Sequence, residues 1–322
     1  MYLLVTGGAG FIGSNFIHNI HNNKIFSEIA FDRIFVLDKL TYASNISNIV
    51  RLIDRGVIEF IEGDICDKKI VNEIMKNVDV VINFAAESHV DRSITDSKNF
   101  IVTNVLGTTT LLQSALGNQI KTFIQISTDE VYGSISTGSW SESSILDPSS
   151  PYSSSKASAD LIAMSFYKTY GLDVRVTRCS NNYGKYQFPE KFIPLAITNL
   201  IIKKKIPIYG NGANVREWIH VDDHCAGIGK VLEYGKPGEI YNIGSGTELT
   251  NLQIAKKIIE IYGESNDPID FVEDRLGHDL RYSVDFSKIE KIGFESKTTF
   301  ENGLVSTFDW YKQNRIWWEK VR

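Results

Sequence analysis

The 322-residue chain has only three cysteines. Cys66, Cys179 and Cys225 are scattered, with no Cys-x-x-Cys pair. That argues against a disulfide scaffold and a cysteine-built metal site, and it fits a reducing cytoplasm. A large excess of either sign of charge is also missing. The net charge of −5 offers no basic surface to drive binding to nucleic acid or an anionic membrane. No apolar run approaches the roughly 20 residues that a membrane helix needs. No basic segment with a cleavage site precedes the first apolar run, so no signal peptide is expected. Internal repeats, low-complexity blocks and long linkers are missing too. What remains is an ordinary soluble composition, 43% hydrophobic and 23% charged, in a chain long enough for a large core and two lobes.

The apolar run Tyr2-Leu3-Leu4-Val5 leads directly into Thr6-Gly7-Gly8-Ala9-Gly10-Phe11-Ile12-Gly13, and a helix-like segment follows to about residue 20. Glycines 7, 10 and 13 fit Gly-x-x-Gly-x-x-Gly, while 8, 10 and 13 fit Gly-x-Gly-x-x-Gly. A strand, a tight glycine turn and a helix N-terminus together make a pyrophosphate cradle. Bare backbone approaches the anion, and the helix end supplies N–H donors. The next strand-like run, Arg33-Ile34-Phe35-Val36-Leu37, ends at Asp38. An acid there accepts hydrogen bonds from ribose hydroxyls and repels a 2′-phosphate, so NAD is expected rather than NADP.

Further strand-like runs cover 57–61, 78–83 and 123–126, and a late one covers 239–243. Asp64, after the third, is either a partner for an adenine amino group or a turn residue. Ala85 and Ala86, after the fourth, are small enough for a cofactor to lie against the backbone. A helical segment spans 103–115. Near-continuous apolar strands alternating with helices predict an α/β fold: a doubly wound parallel Rossmann sheet with a second, smaller α/β lobe.

The run 123–126 feeds Ser127-Thr128-Asp129-Glu130-Val131-Tyr132-Gly133. A hydroxyl and two carboxylates at the C-terminal end of a buried strand stand where open α/β sheets bind ligands. Neighbours on a strand point to opposite faces, so the chain is expected to leave the strand by Asp129. Two adjacent carboxyls in a closed pocket raise at least one pKa. Downstream, Pro151 suits a first helical turn, and Tyr152 and Lys156 share one face at i and i+4. A nearby ammonium is expected to draw the phenol's pKa down.

With the glycine turn, Asp38, Thr128 and the Tyr-x-x-x-Lys pair in place, the chain resembles the extended short-chain dehydrogenase/reductase superfamily. Several motifs narrow the resemblance to the dTDP-glucose 4,6-dehydratase group of nucleotide-sugar 4,6-dehydratases. They include Asp38-Lys39-Leu40-Thr41-Tyr42, the segments 85–93 and 127–133, Arg178-Cys179-Ser180-Asn181-Asn182-Tyr183-Gly184 and Tyr186-Gln187-Phe188-Pro189-Glu190-Lys191. Asn214-Val215-Arg216-Glu217-Trp218, Tyr241-Asn242-Ile243-Gly244 and 274–279 continue the match across nearly the whole chain. Lys185 and Leu276 depart from it, standing where that family usually has proline. Both lie in pocket loops and bear on substrate preference.

The resemblance implies NAD contacts at Gly7, Gly10, Phe11, Ile12, Gly13, Asp38, Lys39, Thr41, Asp64, Ile65, Ala85, Ala86, Ser88, Thr103, Tyr152 and Lys156. It implies contacts to a nucleoside-diphosphate glucose at Ser88, Thr128, Asn181, Glu190, Lys191, Pro207, Tyr209, Arg216, Asn251, Arg275 and His278. In the implied chemistry Tyr152 takes the C4 hydroxyl proton, Lys156 holds the phenolate, and Thr128 orients the C4 oxygen. Glu130 then removes the C5 proton and Asp129 protonates the departing C6 hydroxyl; the residues alone do not choose which carboxyl is acid and which is base. The resemblance also implies no metal, and a homodimer formed through helices at about 100–116 and 153–170. The expected division is an NAD-binding domain of 1–180 plus about 220–244, and a nucleotide-sugar domain of about 181–219 plus 245–322.

Other features have plainer readings. Lys203, Lys204 and Lys205 are expected on a solvated face. His220 and His224 could hold a metal at i, i+4, but Asp222 and Asp223 suit the start of a helix over 225–232. Arg216 and Arg275 suit a diphosphate by their guanidinium forks, or structural ion pairs. Trp310, Trp317 and Trp318 are expected to pack. Two rival functions remain: a 4-epimerase, which needs no acid–base pair for elimination, and a non-catalytic NAD-binding protein. The choice between dTDP and UDP rests on a methyl and a ribose hydroxyl, and dTDP is favoured.

Overall fold

The computed structural model describes residues 1–263 and 268–322. Seven strands form one parallel sheet: β1 (Tyr2–Thr6), β2 (Arg33–Asp38), β3 (Glu59–Glu62), β4 (Val80–Asn83), β5 (Thr122–Thr128), β6 (Val174–Cys179) and β10 (Ile240–Ile243). Their order is β10-β6-β5-β4-β1-β2-β3. The strands read as unbroken apolar runs because helices cover both faces. β1 has β2 on one side and β4 on the other, so the winding reverses there, and the ends of these strands diverge to leave a crevice.

The longer helices are α1 (Phe11–His21), α2 (Lys68–Met75), α3 (Thr108–Gly117), α4 (Pro151–Tyr170), α5 (Phe192–Ile201), α6 (Val221–Tyr234), α7 (Asn251–Tyr262) and α8 (Phe300–Gln313). α1 and α6 pack on one face of the sheet, around Phe16, Ile17, Cys225 and Ile228. On the other face, Val71, Leu111, Leu112 and Ala163 from α2, α3 and α4 form a second core layer. α4 starts as the sequence predicts. Ser150 caps it by accepting from the Ser153 N–H, Pro151 occupies the first turn, and Gly171 ends it at φ 72°.

A third apolar core brings together α5, α7 and α8, with Tyr183, Trp218 and Trp318 buried among them. Beside it lies a small sheet in which β9 (Val215–His220) pairs in parallel with β7 (Asn181–Tyr183) and antiparallel with β11 (Glu248–Thr250). β8 (Ile206–Tyr209) pairs with β12 (Ile269–Val272).

Several local expectations change in detail. The helical segment before β5 begins as a π-helical stretch, Ile101–Gly107. α6 starts at Val221, and its cap is His220, whose Nδ1 accepts from the Asp222 N–H at 3.3 Å. Asp222 accepts from Asn19, and Asp223 from the Thr298 N–H. Trp318 is buried, and Trp310 and Trp317 pack edge-on at 5.0 Å.

Candidate active site

Because the seven strands are parallel, their C-terminal ends share one edge. A cavity opens there, lined by the chain that follows β1 to β6. All the expected cofactor residues lie on it: Gly7, Gly10, Phe11, Ile12 and Gly13 after β1; Asp38, Lys39 and Thr41 after β2; Asp64 and Ile65 after β3; Ala85, Ala86 and Ser88 after β4; and Thr103, Tyr152 and Lys156. Thr128, Asp129 and Glu130 line it as well, with Asn181, Glu190 and Lys191 opposite.

The glycine turn is shaped for a close-lying anion. Gly7 sits at φ 67°, and a Cβ on Gly13 would fall 2.4 Å from the Gly7 carbonyl oxygen. Gly10 caps α1 with no side-chain hydrogen bond, and no acid occupies the first turn, so no carboxylate competes for that helix end. Asp38 is buried. Its two oxygens accept from the N–H groups of Ala9 (2.9 Å) and Leu40 (2.8 Å). A carboxylate offers about four acceptor positions, so it still has lone pairs for a ribose diol. Asp64 combines its two expected readings: it lines the cavity, yet it accepts from the Cys66 N–H and pairs with Lys39 at 2.7 Å. These residues fit the adenosine and pyrophosphate of NAD.

The glycine turn is braced from behind. Asn48 donates to the Ala9 carbonyl at 2.9 Å and accepts from the Trp317 indole N–H at 2.8 Å. Across the cavity mouth, segment 41–44 meets segment 187–191. The Tyr42 ring lies edge-on to Phe188 and under the Arg92 guanidinium, while Arg92 also pairs with Glu190 at 3.0 Å.

At the reactive end, β5 ends at Thr128, and Asp129–Tyr132 form a 3-10 turn, so the chain does leave the strand at Asp129. The Thr128 hydroxyl accepts from the Glu130 N–H (3.3 Å) and donates to Asp129 Oδ1 (3.2 Å). Gly133 closes the turn at φ 77°, where a Cβ would strike the Asp147 carbonyl. The two carboxyls differ in surroundings. Burial pushes Asp129 well above the ordinary carboxylate range, and the charges of Glu130 and Glu217 push it further. Burial also raises Glu130, but Arg275, Lys191 and Arg216 act against it. Among the described residues, Asp129 Oδ2, Asn181 Oδ1 and Glu190 Oε1 are buried without a hydrogen-bond partner. Three such acceptors on one cavity suit a ligand rich in hydroxyl donors.

The phenol does not behave as the sequence suggests. Burial pushes Tyr152 well above its usual value, and Glu130 adds to that; the Thr128 hydroxyl opposes. The Lys156 ammonium is committed elsewhere, donating to the Ile126 carbonyl at 2.6 Å.

Six expected substrate residues lie off this cavity lining. Tyr209, Arg275 and His278 form one cluster: Tyr209 donates to Asp91, Arg275 pairs with Asp91 at 3.6 Å, and the Tyr209 and His278 rings meet at 6.0 Å. Arg216 lies 4.4 Å over the Tyr282 ring and donates to the Asp279 carbonyl. Pro207 lies on β8, and Asn251 opens α7. Ser44, Glu87, Ser180, Asn182 and Phe188 line the cavity without having been singled out. For Glu87, Ser180, Asn182 and Phe188 the only signal is membership of a matching motif.

A doubly wound sheet, a dinucleotide turn and a Thr/Tyr/Lys group beside paired acids define a dehydratase of the extended short-chain dehydrogenase/reductase class. The GDP-mannose 4,6 dehydratase family model matches residues 4–307. The chain is 50% identical to the dTDP-glucose 4,6-dehydratase of Streptomyces antibioticus, over 100% of this chain and 96% of that protein. Among solved structures it resembles the dTDP-glucose 4,6-dehydratase DesIV of Streptomyces venezuelae, solved with NAD bound, at 50% identity and a TM-score of 0.98 over 100% of both chains. The dTDP-glucose 4,6-dehydratase of Bacillus anthracis, also solved with NAD, is 46% identical with a TM-score of 0.92, again over 100% of both chains. The chain belongs to this family of nucleotide-sugar 4,6-dehydratases, within its dTDP-glucose 4,6-dehydratase group.

Proposed function

We propose that the protein dehydrates dTDP-glucose to the 4-keto-6-deoxy sugar nucleotide, using NAD. The observation that carries this is the unequal pair Asp129 and Glu130 beside Thr128, Tyr152 and Lys156. A glucose C5 proton is not acidic until C4 is a ketone. NAD supplies a reversible hydride acceptor, so the hydride lost from C4 can return at C6. Tyr152 takes the C4 hydroxyl proton. Burial holds that phenol's own proton tightly, and the Thr128 hydroxyl is the group that favours its anion; the Lys156 ammonium would have to turn from the Ile126 carbonyl to add to it. Glu130, with three cations acting on it, is the ionised base for the C5 proton. Asp129, pushed furthest up, is the protonated acid that gives its proton to the C6 hydroxyl leaving as water.

The residues off the cavity lining, Pro207, Tyr209, Arg216, Asn251, Arg275 and His278, would bind the nucleotide end, with Arg216 and Arg275 on the diphosphate. The seven-stranded sheet with its helices would form the NAD lobe. About 181–219 plus 245–322 would form the sugar-nucleotide lobe, of which 264–267 lie outside the described residues. A homodimer is supported by apolar side chains open to solvent on the two expected helical segments: Leu106 at 55% exposure, Leu161 at 63% and Tyr170 at 57%. Three free cysteines support a reducing, cytoplasmic setting. Among the described residues no helix is long and apolar enough to cross a membrane.

The test is incubation with dTDP-glucose and, separately, UDP-glucose, following the 4-keto-6-deoxy product. Product from dTDP-glucose is expected. Product from UDP-glucose alone would move the base assignment, inversion at C4 without loss of water would make the protein an epimerase, and no reaction with either would sink the reading.

A further inference from the structure

The proposed reaction needs two pairs of side chains at adjoining atoms of one sugar: Tyr152 and Lys156 at C4, and Asp129 and Glu130 at C5 and C6. The pairs come from different elements, α4 and the turn after β5. A displacement of about 1 Å between such groups costs on the order of a hundredfold in rate. Something must therefore hold the helix against the turn.

A run of polar side chains that do not line the cavity makes that connection. Asp160 lies one helical turn past Lys156, on the face that carries Tyr152 and Lys156. Its Oδ2 accepts from Arg178 Nε at 2.9 Å. The same guanidinium donates to the Tyr132 hydroxyl at 2.9 Å and lies 4.8 Å over the Tyr132 ring. Tyr132 is the last residue of the 3-10 turn that bears Asp129 and Glu130. Its hydroxyl donates to Asn242 Oδ1 at 2.8 Å, and the Asn242 amide donates to the carbonyls of Trp140 and Asp285. Arg178 itself stands on β6, in register with Ser127 of β5. Asp160, Arg178, Tyr132 and Asn242 are all at most 3% exposed.

Burying an ion pair contributes little net stability compared with apolar side chains of the same volume, since both charges lose their water. A planar fork that engages two elements at once does something apolar packing cannot: it fixes their separation and angle. We propose that Arg178 is a positioning residue for the dehydration, a buried fork that sets the helix of Tyr152 and Lys156 against the turn of Asp129 and Glu130. This rests on the dehydratase reading and deepens it. Arg178 acts only through Asp160 and Tyr132. Releasing the Tyr132 arm frees the turn while α4 stays tied by Asp160 and by the bond from Lys156 to Ile126. Elimination then lags behind C4 oxidation, and reduced cofactor builds up.

The experiment uses the holoenzyme with wild type, Tyr132→Phe and Arg178→Lys, dTDP-glucose as substrate, and three readouts: 4-keto-6-deoxy product, NADH absorbance during turnover, and melting temperature with bound NAD. Arg178→Lys keeps the charge and loses the fork. Both variants are expected to keep bound NAD, to slow dehydration about tenfold or more, and to accumulate NADH where wild type does not. Dehydration at the wild-type rate, or losses that only follow the folded fraction with no NADH signal, would overturn the proposal. A wild-type protein that makes no 4-keto-6-deoxy product would instead remove the dehydratase reading, and this inference with it.

Discussion

The guanidinium carbon of Arg92 lies 3.7 Å from the centre of the Tyr42 ring. This contact joins the segment after β2 to Glu190 across the mouth of the cofactor cavity. A reaction that returns its hydride has no need to release the cofactor, so a tie across the mouth favours retention. A partly exposed cation–π contact contributes about 0.5–1 kcal/mol. Arg92→Met should therefore raise the NAD dissociation rate roughly two- to fivefold. Bound NAD after gel filtration checks it, and an unchanged release rate would count against the tie.

Glu130→Gln removes the base and keeps the shape. Elimination should stop while C4 oxidation continues, visible as NADH build-up with dTDP-glucose. Unchanged dehydration would refute the role of Glu130.

Gly13→Ala places a carbon 2.4 Å from the Gly7 carbonyl oxygen and 2.9 Å from Gly8 Cα. The start of α1 must shift, and the pyrophosphate cradle with it. The variant should fold but purify with little or no NAD; near-stoichiometric NAD would show that the turn tolerates the change.

His224 is fully buried, its Nδ1 against Asn182 Oδ1 at 2.9 Å, and burial lowers its pKa to about 3. Between the unfolded value near ~6.5 and about 3, the unfolded chain binds the extra proton and the folded chain does not. Stability is therefore lost as pH falls through this window, by up to about 1.4 kcal/mol per pH unit from this one group. Denaturant titrations of His224→Gln should show a shallower loss between pH 6 and 4, on the order of one proton less; an unchanged slope would exclude His224 as a source.

Much of this site is legible in the sequence where spacing alone sets geometry. The glycine turn, Asp38 at a strand end, and Tyr152 with Lys156 one turn apart each depend on residues close along the chain. The departure from the strand at Asp129 follows from the need to turn two neighbours into one pocket. The fork of Arg178 is not legible, because its partners lie 18 and 46 residues away and only sheet pairing brings them together. Nor is the state of the Tyr152 phenol. Helical spacing puts Lys156 on the right face, but a nearby carbonyl takes the ammonium, and desolvation decides the outcome.

Ala9 is held by Asn48, and Asn48 by the indole of Trp317. The ribosome makes the dinucleotide turn early, yet the brace behind it is not finished until residue 317 has been synthesised and docked. A nascent chain can pair its parallel strands before then, but the turn lacks its backing. Chains cut short before Trp317 should therefore emerge with a sheet but a poorer grip on the nucleotide.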